Sequence, residues 1–273
     1  MEGTRRDRSA GAGADAIADW NRTAWNRQVA RGNRWTQPVD AAAVAAARRG
    51  DFSVVLTPSR PVPRDWFPPL AGLRVLGLAS GGGQQMPLLA AAGATVTLHD
   101  LSPAQLAQDR AVAEREGLAI RLEEGDMRDL SRYPDGSFDL LFHPCSNSFI
   151  PDPQPVWREA FRVLAPGGVL MSGLTQPVRF LFDEKKLERG EFEVRHSLPY
   201  SDFVHLSEAE RAELQAADEP WCFGHTLEQQ LGGQLEAGFV LTALFEDRGR
   251  GTGDGALDER IACYLATRAV KPR

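Results

Sequence analysis

Between about residues 73 and 173, short apolar runs alternate with amphipathic stretches. Residues 73–78, 95–99, 119–122, 138–142 and 169–172 read as buried strands. Each is short, apolar or β-branched, and bounded by turn residues. Residues 84–92, 103–116 and 155–164 read as helices between them. Ser102 is a good N-cap, and Pro103 at the first helical position wastes no amide hydrogen. Gly117 stops that helix. Pro134-Asp135-Gly136 signals a turn before the fourth strand. Pro166-Gly167-Gly168 ends the third helix. Alternation of this kind predicts a parallel sheet with right-handed crossovers.

The flanks are less regular. Residues 41–47 are Ala-rich and predict a helix. The Pro-rich run 58–69 cannot continue one and reads as an extended connector, pinned to the core by Trp66 and Phe67. Residues 1–18 lack the apolar core of a secretory signal and read as a flexible tail. Beyond residue 174, helices are expected at 208–217 and 227–237, and strands at 239–245 and 260–267. A Gly-rich loop at 249–255 precedes the last strand.

Composition narrows the function. The chain has 273 residues, 42% hydrophobic and 25% charged, enough for one large domain with insertions. The net charge of -6 argues against phosphate-dominated nucleic-acid binding. Apolar runs are too short to span a bilayer. The three cysteines, Cys145, Cys222 and Cys263, are scattered and form no zinc spacing, so thiols and no metal are expected. A cytoplasmic protein is expected.

Five motifs carry the chemistry. Residues 75–83, Val-Leu-Gly-Leu-Ala-Ser-Gly-Gly-Gly, join a strand to a helix, where glycines let a backbone approach a ligand. An ordinary tight turn would look the same. The dinucleotide pattern G-x-G-x-x-G fails, because Met86 stands at the third glycine position counted from Gly81. Asp100 ends the second strand, where a carboxylate can accept ribose hydroxyls or simply cap a helix. Glu124-Gly125-Asp126-Met127 follows the third strand. Residues 139–147 end the fourth strand at the edge of the crevice, with His143-Pro144-Cys145-Ser146-Asn147 last. Residues 162–170 link helix to strand through Leu164-Ala165-Pro166-Gly167-Gly168.

In this order and spacing the five resemble the class I S-adenosylmethionine (SAM)-dependent methyltransferase superfamily, over about residues 73–173. Residues 78–85, 143–147 and 223–226 further resemble a bacterial subgroup of unassigned substrate. The resemblance implies an α/β, Rossmann-like, mostly parallel seven-stranded sheet flanked by helices, with its last strand antiparallel. It also implies an N-terminal helical cover and connector (19–70), a methyltransferase domain (71–273) and an insert after strand five (about 174–220). Ala79, Ser80, Gly81 and Gly83 would line the methionine part of SAM. Asp100 and Leu101 would meet the ribose, and Asp126 and Met127 the adenine. Trp25, on the helix covering the cofactor, would stack near the methionine end or pack in the core. The chain departs from the family at Gly77, where an acid is usual, and at Ala79, where glycine is usual.

Methyl transfer from a sulfonium needs mainly positioning and shielding from water. A base helps if the acceptor must lose a proton. His143 is the first candidate base and a cofactor contact, and His225 the second; either could instead be structural. Asn147, Tyr200 and Asp183 are further pocket candidates, while His196 and His205 read as surface residues. The expected partner is a small-molecule acceptor, with no nucleic acid and no membrane; a homodimer is compatible with the sequence. Gly77 motivates the alternative, a SAM-binding scaffold without catalysis.

Overall fold

The structure is a computed structural model and describes residues 13–249 and 255–273. Among the described residues nine strands form: β1 (Arg74–Leu78), β2 (Thr95–Asp100), β3 (Ile120–Glu124), β4 (Phe138–His143), β5 (Leu164–Thr175), β6 (Tyr200–Ser201), β7 (Phe223–Gly224), β8 (Val240–Asp247) and β9 (Tyr264–Val270). Seven of them make one sheet in the order β3-β2-β1-β4-β5-β9-β8. β1 to β5 are mutually parallel where they pair. β9 runs antiparallel to both neighbours. β6 and β7 pair separately. The expected mostly parallel seven-stranded sheet is what forms.

Side chains alternate across the sheet, and helices bury both faces. On one face Val75, Leu98 and Phe142 pack with Met86 and Leu89 of α3 (Met86–Ala91) and Val44 of α2 (Ala41–Arg48). On the other, Leu76, Leu78 and Leu141 pack with Val156, Trp157 and Ala160 of α5 (Gln154–Val163). α4 (Pro103–Glu116) starts on the Ser102 cap, which accepts the Gln105 amide, and ends at Gly117 with φ 63°. The connector is pinned as expected for Trp66, whose ring lies 5.2 Å from that of Phe245.

Several boundaries differ from the sequence reading. Helix α1 (Ala14–Ala30) begins inside the stretch expected to be tail; residues 1–12 of that stretch lie outside the described residues. The helix is held by tertiary partners, since Asn21 bonds the carbonyls of Phe149 and Trp221. β5 starts at Leu164, so the Pro-Gly-Gly break lies within a strand. Its glycines exchange backbone bonds with Lys271, a partner local patterning cannot reveal. The expected strand at 260–267 begins only at Tyr264, because residues 255–258 are helical. The helix expected at 227–237 opens with a wide turn at Glu228–Gly232. Most of the Gly-rich loop lies outside the described residues.

Candidate functional site

The carboxyl ends of β1, β2, β3 and β4 reach one rim of the sheet, the usual ligand edge of open α/β folds. There α1 and the residues between β5 and β8 close over a cavity of about 860 Å³. Ala79, Ser80, Gly81, Asp100, Leu101, Asp126, Met127 and Trp25 all line it, as the sequence reading placed them. Gly83, His143 and His225 do not.

The glycine loop is built around carboxylates. Asp100 Oδ2 accepts the Gly81 amide at 2.9 Å and Oδ1 the Ser102 amide at 2.9 Å. Asp109 on α4, fully buried, accepts the Gly82 and Gly83 amides at 2.9 and 2.8 Å through one oxygen. Burial raises the Asp100 carboxyl and pushes that of Asp109 up to about 8. Small residues are required here. A Cβ on Gly81 would come within 2.7 Å of Gln105 Cβ and 3.0 Å of Asp100 Oδ2. Gly83 therefore serves the loop from behind, against Asp109 and Pro38, and not as a wall of the cavity.

Gly77 has a packing reason. A Cβ there would lie 2.3 Å from the Met86 sulfur and 2.7 Å from Ser80 Oγ. The space of the family's usual acid is thus filled by Met86 and Ser80. Ala79 adopts φ 47°, a left-handed conformation that glycine takes more readily than alanine.

His99 orders the next loop. Its ring is 1% exposed, with Nδ1 3.1 Å from Tyr133 Oη and Nε2 3.1 Å from the Asp126 carbonyl. Burial lowers its pKa, so the neutral ring donates from Nε2 and accepts from the tyrosine hydroxyl. A side chain at Gly125 would strike this ring at 2.5 Å. Asp126 faces the cavity, but Arg128 engages its carboxylate, with Nε 3.0 Å from both oxygens and Nη2 2.6 Å from Oδ2. Sequence reasoning missed Asp109, His99 and Arg128, whose roles depend on contacts between separate elements or on how a loop folds back.

The two candidate bases require correction. His143 is fully buried; Nδ1 lies 2.9 Å from the Leu78 carbonyl and Nε2 2.7 Å from the Asn147 side chain. Burial lowers its pKa, and a neutral ring has one N–H. That N–H goes to Leu78, so the Asn147 amide nitrogen belongs toward Nε2, which also gives this otherwise unpartnered buried donor an acceptor. His225 is 4% exposed, with Nε2 3.0 Å from the Asn147 carbonyl. Both histidines brace the turn after β4 and neither reaches the cavity. Asn147 is likewise buried and off the wall, while Tyr200, Asp183 and, against expectation, His196 line it.

Trp25 lines the cavity and packs edge-on against Phe149 at 5.2 Å, so wall and packing roles coincide. The C-terminal end of α1 is tied to the start of α4 and to Asp218. Asn26 Oδ1 accepts from Ser102 Oγ at 2.7 Å and from the Ala104 amide at 3.2 Å. Arg27 and Arg31 pair with Asp218.

Among the described residues no cluster of His, Cys, Asp or Glu could hold a metal ion. No described helix is long and apolar enough to cross a membrane. The thiols of Cys145 and Cys222 line the cavity, and burial pushes both pKa values up.

The sheet order, the antiparallel penultimate strand and the carboxylate-held glycine loop define a Rossmann-like methyltransferase fold. Residues 76–172 match the model of the methyltransferase domain family. The chain is 47% identical over 257 residues to an uncharacterized methyltransferase (YbaJ) of Bacillus subtilis strain 168, covering 94% of this chain and 99% of that one. It is 31% identical over 221 residues to a ubiquinone biosynthesis O-methyltransferase of Xanthomonas oryzae pv. oryzae, covering 72% and 90%. The crystal structure of a SAM-dependent methyltransferase from Mesorhizobium loti shares the fold at TM-score 0.59 and 20% identity, over 76% of this chain and 94% of that one. The chain belongs to the class I SAM-dependent methyltransferase family.

Proposed function

We propose that the protein binds SAM in the rim half of the cavity and transfers its methyl group to a small molecule held in the other half. One observation carries this reading: the glycine loop, Asp100, Asp126 and the residues between β5 and β8 all face the same 860 Å³ space. That volume is at the upper end for small-ligand sites, about 300–1,000 Å³.

The residues fit this cofactor on two counts. The Gly81, Gly82 and Gly83 amides, which in a dinucleotide enzyme would meet a pyrophosphate, are bound by Asp100 and Asp109. With those amides already taken by two carboxyl groups, the loop has little to offer an anionic pyrophosphate. Ser80 Oγ and Gln105 Oε1, from two cavity-lining residues, are buried without a hydrogen-bond partner, leaving polar capacity beside the expected methionine and ribose ends. Bound SAM supplies an activated methyl group. The chain's own work is to orient the two reactants and keep water out, with Trp25 and Phe149 as apolar wall. The relative named for O-methylation in ubiquinone biosynthesis supports a small-molecule acceptor. Net charge of -6 supports the same choice over nucleic acid.

Calorimetric titration with SAM and S-adenosylhomocysteine tests cofactor binding, and labelled SAM with a panel of phenols, amines and thiols tests transfer. Saturable binding with turnover is expected. No binding at millimolar ligand overturns the reading, and binding without turnover across the panel favours the scaffold alternative.

A further inference from the structure

The outer half of the cavity is aromatic and carries one accessible imidazole. Phe180 and Tyr200 stack with centroids 5.3 Å apart at 25°. His196 stands across Tyr200 at 5.1 Å. Tyr200 is fixed by its hydroxyl, which donates to the buried Asp202 at 2.8 Å. Asp202 in turn accepts the Cys222 amide at 2.6 Å. The Tyr200 proton is thus committed, and that hydroxyl is a wall and not a base.

The five histidines divide sharply. His99, His143 and His225 are buried with their rings bound to neighbours. The His205 ring meets Ser197 and Ser201. Among the described residues, only the His196 imidazole lines the cavity, and no hydrogen bond holds its nitrogens. The cations of this half are already matched. Lys185 pairs with Glu213 at 2.6 Å, Arg195 with Asp183 at 3.0 Å and Glu210 at 2.7 Å, and Arg179 lies 3.6 Å from Glu184. A carboxylate or phosphate on the acceptor would therefore compete with existing ion pairs, whereas an uncharged aromatic acceptor meets a wall of Phe180, Phe182 and Tyr200, the last stacked with both Phe180 and His205.

Resting on the methyl-transfer reading above, we propose that the acceptor is a phenol and that His196 is the catalytic residue that takes its proton. The phenol O–H bond breaks and its proton goes to a ring nitrogen of His196. The oxygen lone pair forms the new O–CH₃ bond as the carbon–sulfur bond breaks and its electron pair returns to sulfur. The products are an aryl methyl ether, S-adenosylhomocysteine and a proton that His196 passes to solvent. Partial burial, Arg195 and His205 favour the neutral, proton-accepting ring, against the opposing charges of Asp183 and Glu210.

The test uses the full chain saturated with S-adenosylhomocysteine and 4-methylphenol, which stays protonated at neutral pH, as probe. In histidine-labelled protein, 4-methylphenol should shift one imidazole resonance, the one absent from His196→Gln. With SAM, His196→Gln should lower kcat for 4-methylphenol methylation about a hundredfold, while its affinity for S-adenosylhomocysteine stays within about twofold of wild type. If S-adenosylhomocysteine binds but the probe leaves the His196 signal unmoved, or if His196→Gln turns over as wild type does, the inference fails. If the wild-type chain takes up no S-adenosylhomocysteine, the underlying methyl-transfer reading fails instead.

Discussion

Asp109 holds Gly83 in place: its Oδ2 accepts the Gly83 amide at 2.8 Å, and the Gly82 amide at 2.9 Å, from a fully buried site on α4. Its other oxygen is buried without a partner. Burial raises the carboxyl from an ordinary 3.8 to about 8, so the fold binds a proton there that the unfolded chain releases. Stability from this group is complete below pH 3.8 and is lost as pH rises toward 8. Asp109→Asn keeps one acceptor oxygen for the two amides and does not ionise. Its stability relative to wild type should therefore climb between pH 4 and pH 8, read as the denaturation midpoint at each pH. Asp109→Ala should loosen the loop and weaken SAM binding at every pH. A flat difference for Asp109→Asn would show that the carboxyl is ionised in both states.

Asp100→Ala should weaken SAM at least about tenfold, or about 1.4 kcal/mol, measured by calorimetry. It removes the acceptor of the Gly81 and Ser102 amides as well as a carboxylate that lines the cavity. Asp100→Asn retains acceptor capacity and should lose less. Equal affinity in all three folded proteins would remove Asp100 from the site.

Gly77 and Ala79 should respond in opposite directions. Gly77→Asp restores the family's acid but drives a side chain into Met86, and should cost about 1–3 kcal/mol of stability. Adding Met86→Ala should recover part of that loss. Ala79→Gly relieves a left-handed alanine, worth about 1–2 kcal/mol, against about 0.5–1 kcal/mol of added chain entropy. A net gain of up to about 1.5 kcal/mol should appear in urea unfolding.

His99, His143 and His225 are all buried with pKa values lowered below the ordinary 6.5. The fold therefore prefers them neutral. Their contribution is complete above pH 6.5 and is lost as pH falls from there toward the lowered values. His143→Gln should be less stable than wild type at neutral pH, and that deficit should shrink as pH falls below 6.5, read from the two unfolding midpoints at each pH.

The repeating strands and helices were legible because their signals are local. Apolar runs, the Ser102-Pro103 cap and Gly117 depend on neighbours a few positions away. The ordered motifs likewise marked Ala79, Ser80, Gly81, Asp100 and Asp126, since parallel strands bring successive loops to one rim. The sequence by itself thus determined the sheet and its ligand edge. Which histidine faces the cavity was settled only in three dimensions. His143 ends the site-forming strand β4, yet its ring turns inward to Leu78 and Asn147. His196 reads as surface, yet folding of the insert sets it beside Tyr200 on the cavity wall. Burial and partnership come from segments far apart along the chain, and no local pattern of polar and apolar residues encodes them.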